Sequence, residues 1–342
     1  MFWKTDLRCF ELVESIMRET VGVYELMRQN RTIMRVFTFA LMFMMMTGTS
    51  LASDDWRQSV GIFRIGIVSG GDAASTSLKS EPFRLAIAEA LNIDVEIFPA
   101  KNATVLVDAI TSGRIEYAVM PTSTFALAHT ACECVEPIVV PRSIDSTDSY
   151  RQVLITRSSE GAKLEDVSQG KILASGFDGT LGAAFAGYQV SVNGAAVLSP
   201  STFDLRESAQ LAEEAFLLNE RGAILGWSSL TGNPSNGYSR GTLRRLVEQS
   251  GRSVSDFNIV WQSPEIPHRP HVVRKNLAKE VKQLLQAILL TLNENDPVAY
   301  DSIEPDFALG FSTTSLAKFQ PVIDFLNSEY AREWLNNKSP SQ

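Results

Sequence analysis

Three histidines and three cysteines are all the imidazoles and thiols in this sequence of 342 residues. His129, Cys132 and Cys134 form the pattern H-x-x-C-x-C. Those three donors could hold a metal only with a fourth ligand from elsewhere. The two cysteines could instead close a tight local disulfide, or stay as two ordinary thiols. Cys9 lies far upstream. His268 and His271 sit among Pro264, Pro267 and Pro270 and are expected at the surface. No G-x-S-x-G elbow and no H-E-x-x-H is present, and no pair of carboxylates stands at a plausible site. An enzyme is therefore not expected, and neither a cofactor nor a resident metal is called for.

The remaining chemistry belongs to small and hydroxyl residues in loops. Gly70 and Gly71 follow an apolar run and allow close backbone approach. Ser123 and Thr124 open a helical run that continues with Phe125; they are helix caps first, and a cap in a cleft can also contact a ligand. Tyr150 and Trp227 stand at the ends of apolar runs. Each is a core aromatic or a cleft aromatic, depending on what faces it.

The elements that must position these residues begin at Arg64–Ala128. Phe63–Val68, Val95–Ala100 and Tyr117–Pro121 read as strands. Between them lie two helical runs, one opened by Pro82 and ended by Asn92, the other from Ala103 to Gly113. This is a β-α-β-α-β unit, and open sheets of this kind bind ligands at the carboxyl ends of their strands. Val135–Pro141 continues it. Ser149–Arg157 is a long strand of alternating character. A second β/α alternation follows, with strands at Lys171–Phe177 and Ala223–Trp227 and helices at Glu207–Leu218 and Gly241–Gln249. Phe257–Arg274 is an extended, proline-interrupted return. Helices at Leu277–Leu292 and Leu316–Trp334 complete the chain. Two lone strands crossing between two β/α units predict a two-lobe α/β protein. One lobe is expected from 57–150 and 260–342, the other from 151–259.

Composition agrees with a folded, exported protein. Hydrophobic residues are 44% and charged residues 20%, typical of a globular chain with ample core. The net charge of −8 speaks against a nucleic-acid partner. Arg28, Arg31 and Arg35 precede an apolar run from Val36 to Met46, and Ser50 and Ala52 occupy small-residue positions. Residues 1–52 read as a secretory signal peptide cleaved after Ala52; the other reading is an uncleaved anchor, for which the apolar run is short. Translation starting at Met27 or Met34 would explain the amphipathic, acidic stretch upstream.

Four stretches carry a family resemblance. AKNATVLVDAITSGRIEYAVMPTSTFALA has a helix, an S-G turn, a strand ending near proline and an aromatic-containing helix start. DSYRQVLITRSSEGAKLEDVSQGKILASG is similar to a Y-x-S-x-x-x-x-R crossing strand followed by S-L-x-D-L-x-G-K. WQSPEIP is similar to W-x-S-P-x-I-P, and VVRKNLAKEVKQLLQAILLTL to the helix after it. The chain resembles the phosphate/phosphite/phosphonate substrate-binding family of ABC transporters, periplasmic binding proteins of the type II class, over roughly residues 63 to 327.

The resemblance implies a two-lobe type II fold, each lobe a mostly parallel sheet flanked by helices. It implies a monomer in the periplasm that binds a small oxyanion between its lobes and passes it to an inner-membrane ABC permease. Closure would bend the crossing strands near Tyr150 and Trp261. A sensor reporting to a membrane receptor, or a binder of a sulfonate or other organic solute, would share this fold. The main anchor would be the loop where the family has S-T-S-G and this chain has Gly179, Thr180, Leu181 and Gly182. There a helix N-terminus offers free N–H groups to an anion. Ser208 lies near the place of a family histidine, Trp227 near that of an aspartate, Phe125 where tyrosine is common, and Gln152 where the crossing strand has serine. Gly70, Gly71, Ser123, Thr124, Phe125, Tyr150, Gly179, Thr180, Gly182, Ser208 and Trp227 are thus the expected ligand contacts.

Overall fold

A computed structural model describes residues 55–160, 164, 167, 170–174, 180–192, 198–218 and 222–336. Residues 1–52, the stretch read as a signal peptide, together with Cys9 and Gly179, lie outside the described residues. A short helix, α1 (Asp55–Val60), leads into β1 (Ile62–Val68). Then follow α2 (Ala73–Lys79), α3 (Glu81–Leu91), β2 (Asp94–Ala100), α4 (Ala103–Thr111), β3 (Tyr117–Val119), α5 (Thr122–Cys132) and β4 (Val135–Pro141).

Local chemistry sets these boundaries. Asp72 caps α2 by accepting the Ser75 N–H at 3.0 Å, and Asn102 caps α4 by accepting the Val105 N–H at 3.0 Å. Asn92 ends α3 in the left-handed region at φ 50°. Cys132 and Cys134, the first the last residue of α5, are joined in a disulfide around Glu133. Among the described residues no cluster of three metal-ligating side chains forms.

The first sheet has the order β12-β4-β11-β3-β1-β2. β1 runs parallel to β2, pairing Ile62 with Asp94, and parallel to β3, pairing Ile65 with Tyr117. The returning strand β11 (His271–Arg274) lies antiparallel between β3 and β4, and β12 (Phe311–Thr313) closes the edge. β1 to β4 therefore share one direction. Helices α3, α9 (Lys279–Asn295) and α10 (Pro297–Ile303) pack together against it, and α4 and α5 form a second group.

The second sheet has the order β10-β5-β8-β6-β7, with β9 also pairing β5. β5 (Ser149–Arg157) crosses into it antiparallel to β8 (Ala223–Ser228), with Gln152 opposite Trp227. β6 (Ile172–Ala174) is parallel to β7 (Phe203–Leu205) and β8. β9 (Phe257–Gln262) and β10 (Ile266–Pro267) return along β5. The helices are α6 (Thr180–Val192), α7 (Ala209–Leu217) and α8 (Thr242–Ser250).

Two sequence expectations are corrected here. The stretch Leu316–Trp334 is not one helix. It is a 3-10 turn, then α11 (Gln320–Asn327) and α12 (Glu329–Asn336), broken at Ser328, where the chain turns extended and the Ser328 hydroxyl accepts the Ala331 N–H at 3.1 Å. Nor does this end belong to the first sheet's half alone. α11 packs on α5 and on α6, and α12 packs on α6. Phe125 meets Phe319 at 4.8 Å between ring centroids, Phe185 meets Phe325 at 5.6 Å, and Phe203 meets Trp334 at 5.6 Å. One apolar cluster therefore runs from Leu106 and Phe125 through Val322 and Phe325 to Ala184 and Phe203.

The second correction concerns the histidines. His271 is fully buried, and His268 is only 9% exposed. The prolines around them lie in a return strand that threads the interior, where their carbonyls are used: Thr122 Oγ1 donates to the Pro267 carbonyl at 2.7 Å, and the Met120 N–H to that of Pro270 at 3.4 Å. His271 Nδ1 contacts the Tyr117 hydroxyl, and its Nε2 lies 2.8 Å from Glu304, whose other oxygen accepts from Arg269 Nε at 2.7 Å. Burial lowers the pKa of His271 against the pull of Glu304, and burial raises that of Tyr117.

Candidate functional site

In the second sheet, β6, β7 and β8 share one direction, and each is followed by a helix that starts beyond its carboxyl end. The carboxyl ends of β6 and β8 and the first turns of α6, α7 and α8 surround a cavity of ≈ 60 Å³. The space exists because the side chains there are small: Gly182 and Ala183 from α6, Ala209 and Ala212 from α7, and Gly226 from β8. Three helix N-termini facing one cavity give it a positive potential and a set of N–H donors.

The start of α8 is held for this arrangement. Gly241 caps it with φ 127°, and a Cβ there would overlap the Trp227 carbonyl. No side chain caps this N-terminus. Thr242, 2% exposed, lines the cavity. Its Oγ1 accepts the Trp227 N–H at 3.2 Å and Arg245 Nη2 at 3.2 Å. With both lone pairs engaged, the hydroxyl proton is left to donate, and no described residue accepts it.

The charges nearby are arranged in one direction. Glu213 is 2% exposed, and both its oxygens accept from Arg245 Nε, at 2.9 and 3.1 Å. Arg245 thereby neutralises the one carboxylate that lines the cavity among the described residues. The guanidinium groups of Arg245 and Arg240 each lie 5.6 Å from the Trp227 ring. Among the described residues, Arg240 forms no ion pair with a carboxylate within 4.0 Å. Its charge reaches Asp145, whose pKa falls under several hydrogen bonds and this cation despite burial.

β5 supplies the wall toward the first sheet. Tyr150 meets Trp227 edge-on at 6.1 Å and stacks on His268 at 5.9 Å. Gln152 lies beside it, 6% exposed. On the far side of these two residues is a second cavity of ≈ 30 Å³, bounded by Thr122 and Ser123 of α5, Leu181 and Phe185 of α6, and Phe325 of α11.

His268 carries a pH effect. Burial, then the Arg240 guanidinium, push its pKa down to about 4 from 6.5. Between those values the unfolded chain binds a proton that the folded protein refuses. Its contribution is thus full above pH 6.5 and falls as the pH drops, by about 1.4 kcal/mol per unit and about 3 kcal/mol in all. Urea midpoints from pH 7.5 to 4 should fall more steeply for the wild type than for His268→Gln; parallel profiles would contradict this.

The expected contacts divide. Tyr150, Gly182 and Trp227 line the larger cavity, and Ser123, Tyr150 and Gly182 the smaller. Thr124 and Phe125 are buried behind Ser123 and line neither. Ser208 caps α7, accepting the Leu211 N–H at 3.2 Å, one residue before the cavity wall begins at Ala209. Gly70 and Gly71 have positive φ, are exposed and line neither cavity. Thr180 begins α6; its side chain, like Gly179, lies outside the described residues. Thr242, Glu213, Arg245, Arg240 and Thr122 were not singled out from the sequence. A threonine directly after glycine at a helix start was the available signal for Thr242.

The family model for the ABC transporter phosphonate periplasmic substrate-binding protein matches residues 65–324. Among solved structures, XAC2383 from Xanthomonas citri bound to ATP is 16% identical, with a TM-score of 0.55 over 82% of this chain and 100% of that one. The same protein bound to chloride gives 16% and 0.54 over 81% and 99%. A binding protein component of an ABC phosphonate transporter, PA3383 from Pseudomonas aeruginosa, is 16% identical, with a TM-score of 0.47 over 82% and 90%. No curated protein matches the chain in sequence.

Proposed function

Because this chain belongs to the family of periplasmic phosphonate-binding proteins of ABC transporters, we propose that it binds a small phosphorus oxyanion in the cavity ringed by α6, α7 and α8. The observation that carries this is the convergence of three helix starts on one small space, with the Thr242 hydroxyl proton unspent beside it. Phosphate, phosphite and short phosphonates are the ligand class. A cavity of ≈ 60 Å³ has room for a tetrahedral head group.

The family works with a membrane permease, and the reading extends to delivery. A ligand in this cavity that also reaches Ser123 of α5, across the smaller cavity, favours the closed arrangement, by its differential affinity for that form. The closed protein would then dock on an ABC permease in the inner membrane. Among the described residues, no helix is long and apolar enough to cross a membrane.

Thermal unfolding with phosphate, phosphite and methylphosphonate tests the reading. A ligand at 100 times its Kd adds about 2.7 kcal/mol. Thr242→Val should weaken methylphosphonate binding by about 1.5–3 kcal/mol, the range for a hydrogen bond to a charged group, and Thr242→Ser should retain it. No shift with any phosphorus oxyanion, or equal binding by all three proteins, would refute it.

A further inference from the structure

We propose that Gln152 reads a proton on the ligand, so that the site takes a phosphorus oxyanion in its singly protonated form and rejects anions that lack an O–H group. This rests on the oxyanion reading above.

Gln152 is pinned on three sides. Its main-chain N–H donates to Ser263 Oγ at 3.0 Å, and its carbonyl accepts the Ser263 N–H at 2.9 Å. Its side-chain Nε2 donates to the Gly182 carbonyl at 3.0 Å. That last bond fixes the amide: turned over, it would set Oε1 against the Gly182 oxygen, two acceptors facing one another. Oε1 of this side chain, which lines both cavities, is buried and has no hydrogen-bond partner among the described residues. A buried carbonyl oxygen without a donor is costly, and a ligand that supplies one recovers that cost.

The site is therefore two-sided. Helix N–H groups and the Thr242 hydroxyl offer donors to charged oxygens; Gln152 Oε1 asks for a donor in return. A singly protonated phosphonate or phosphate satisfies both sides, with its P–O–H hydrogen on Gln152. A sulfonate, sulfate or fully ionised phosphonate offers acceptors only and places an oxygen against Oε1.

Other titratable and charged groups surround the cavity. They are Tyr150 on β5, Glu213 on α7 with its partner Arg245 on α8, Arg240 before α8, and His268 behind Tyr150 with Asp145 and Asp148 near it. The test separates them from the ligand by moving the ligand's own ionisation.

Calorimetric Kd values for methylphosphonate from pH 5.5 to 9 should stay flat below its second ionisation and rise about tenfold per pH unit above it, one proton being required for binding. With chloromethylphosphonate, whose second ionisation lies lower, the break should move to lower pH by the same interval. Methanesulfonate should bind at least about a hundredfold more weakly than methylphosphonate, and Gln152→Leu should reduce that preference to below about tenfold. A pH break common to both phosphonates, a pH-independent Kd, or a sulfonate preference unchanged in Gln152→Leu would overturn the proposal while leaving the oxyanion reading in place. Binding of 2-aminoethylphosphonate without methylphosphonate would also overturn it, since the donor would then be the amine. Failure of every phosphorus oxyanion to bind would overturn both.

Discussion

Replacing Arg245 with leucine should destabilise the protein by up to about 3 kcal/mol, the lower end of the cost of removing one partner from a buried ion pair, because Glu213 is buried while Arg245 is 33% exposed and partly screened by water. Glu213 is 2% exposed and Arg245 supplies the close charge on its carboxylate; the Gln249 amide at 3.4 Å is a poor substitute. The loss has a structural form as well, because this pair ties α7 to α8 across the cavity. Leucine at 245 should therefore also loosen the start of α8 and weaken ligand binding. The double variant Glu213→Leu with Arg245→Leu should recover most of the stability, since the desolvation penalty leaves with the charges. Urea unfolding with unchanged m-values reads these differences. A single variant within 1 kcal/mol of wild type would mean that water reaches Glu213.

Truncating Trp334 to alanine should cost about 3–5 kcal/mol, as for other buried large aromatic residues. Trp334 is 2% exposed, packs on Phe203 and Tyr330, and fixes α12 against the second sheet's half. Phenylalanine should recover much of the loss, because the indole Nε1 has no hydrogen-bond partner among the described residues to forfeit. The same substitution tests the C-terminal clamp. With α12 released, α11 keeps its packing on α5 while its hold on α6 weakens. Small-angle scattering of Trp334→Ala should then show a larger radius of gyration without ligand than the wild type; equal radii would contradict the clamp.

The parts of this architecture legible in the sequence were those encoded locally. The β-α-β-α-β run from Arg64 to Ala128 could be read because apolar spacing, Pro82, Asn92 and Gly113 mark its boundaries within a few residues. The crossing strand could be read from the alternation in SYRQVLITR. What could not be read depends on distant segments meeting. Ala209, Ala212 and Gly226 carry no chemical signal; they matter because their small size leaves room at one place. Thr242, Glu213 and Arg245 come from two helices separated by β8, and only their packing brings Thr242 and Glu213 to the cavity wall with Arg245 bonded to both. His268 and His271 were misplaced because proline suggests an exposed loop, while here the proline carbonyls bond across to Thr122 and Met120. Gln152 was visible only as a departure from serine; its meaning required knowing that Gly182 holds its amide and that no described residue holds its oxygen. Gly70 and Gly71 were sound as a turn but stand away from both cavities.

A crystal structure with methylphosphonate is the most direct test of the central claim. The account predicts a phosphorus atom between the first turns of α6, α7 and α8, with one ligand oxygen within hydrogen-bonding distance of Thr242 Oγ1 and another beside Gln152 Oε1. Ligand bound only at the first-sheet loop around Gly70 and Gly71, with the cavity between Gly182, Ala209 and Thr242 left empty, would contradict it.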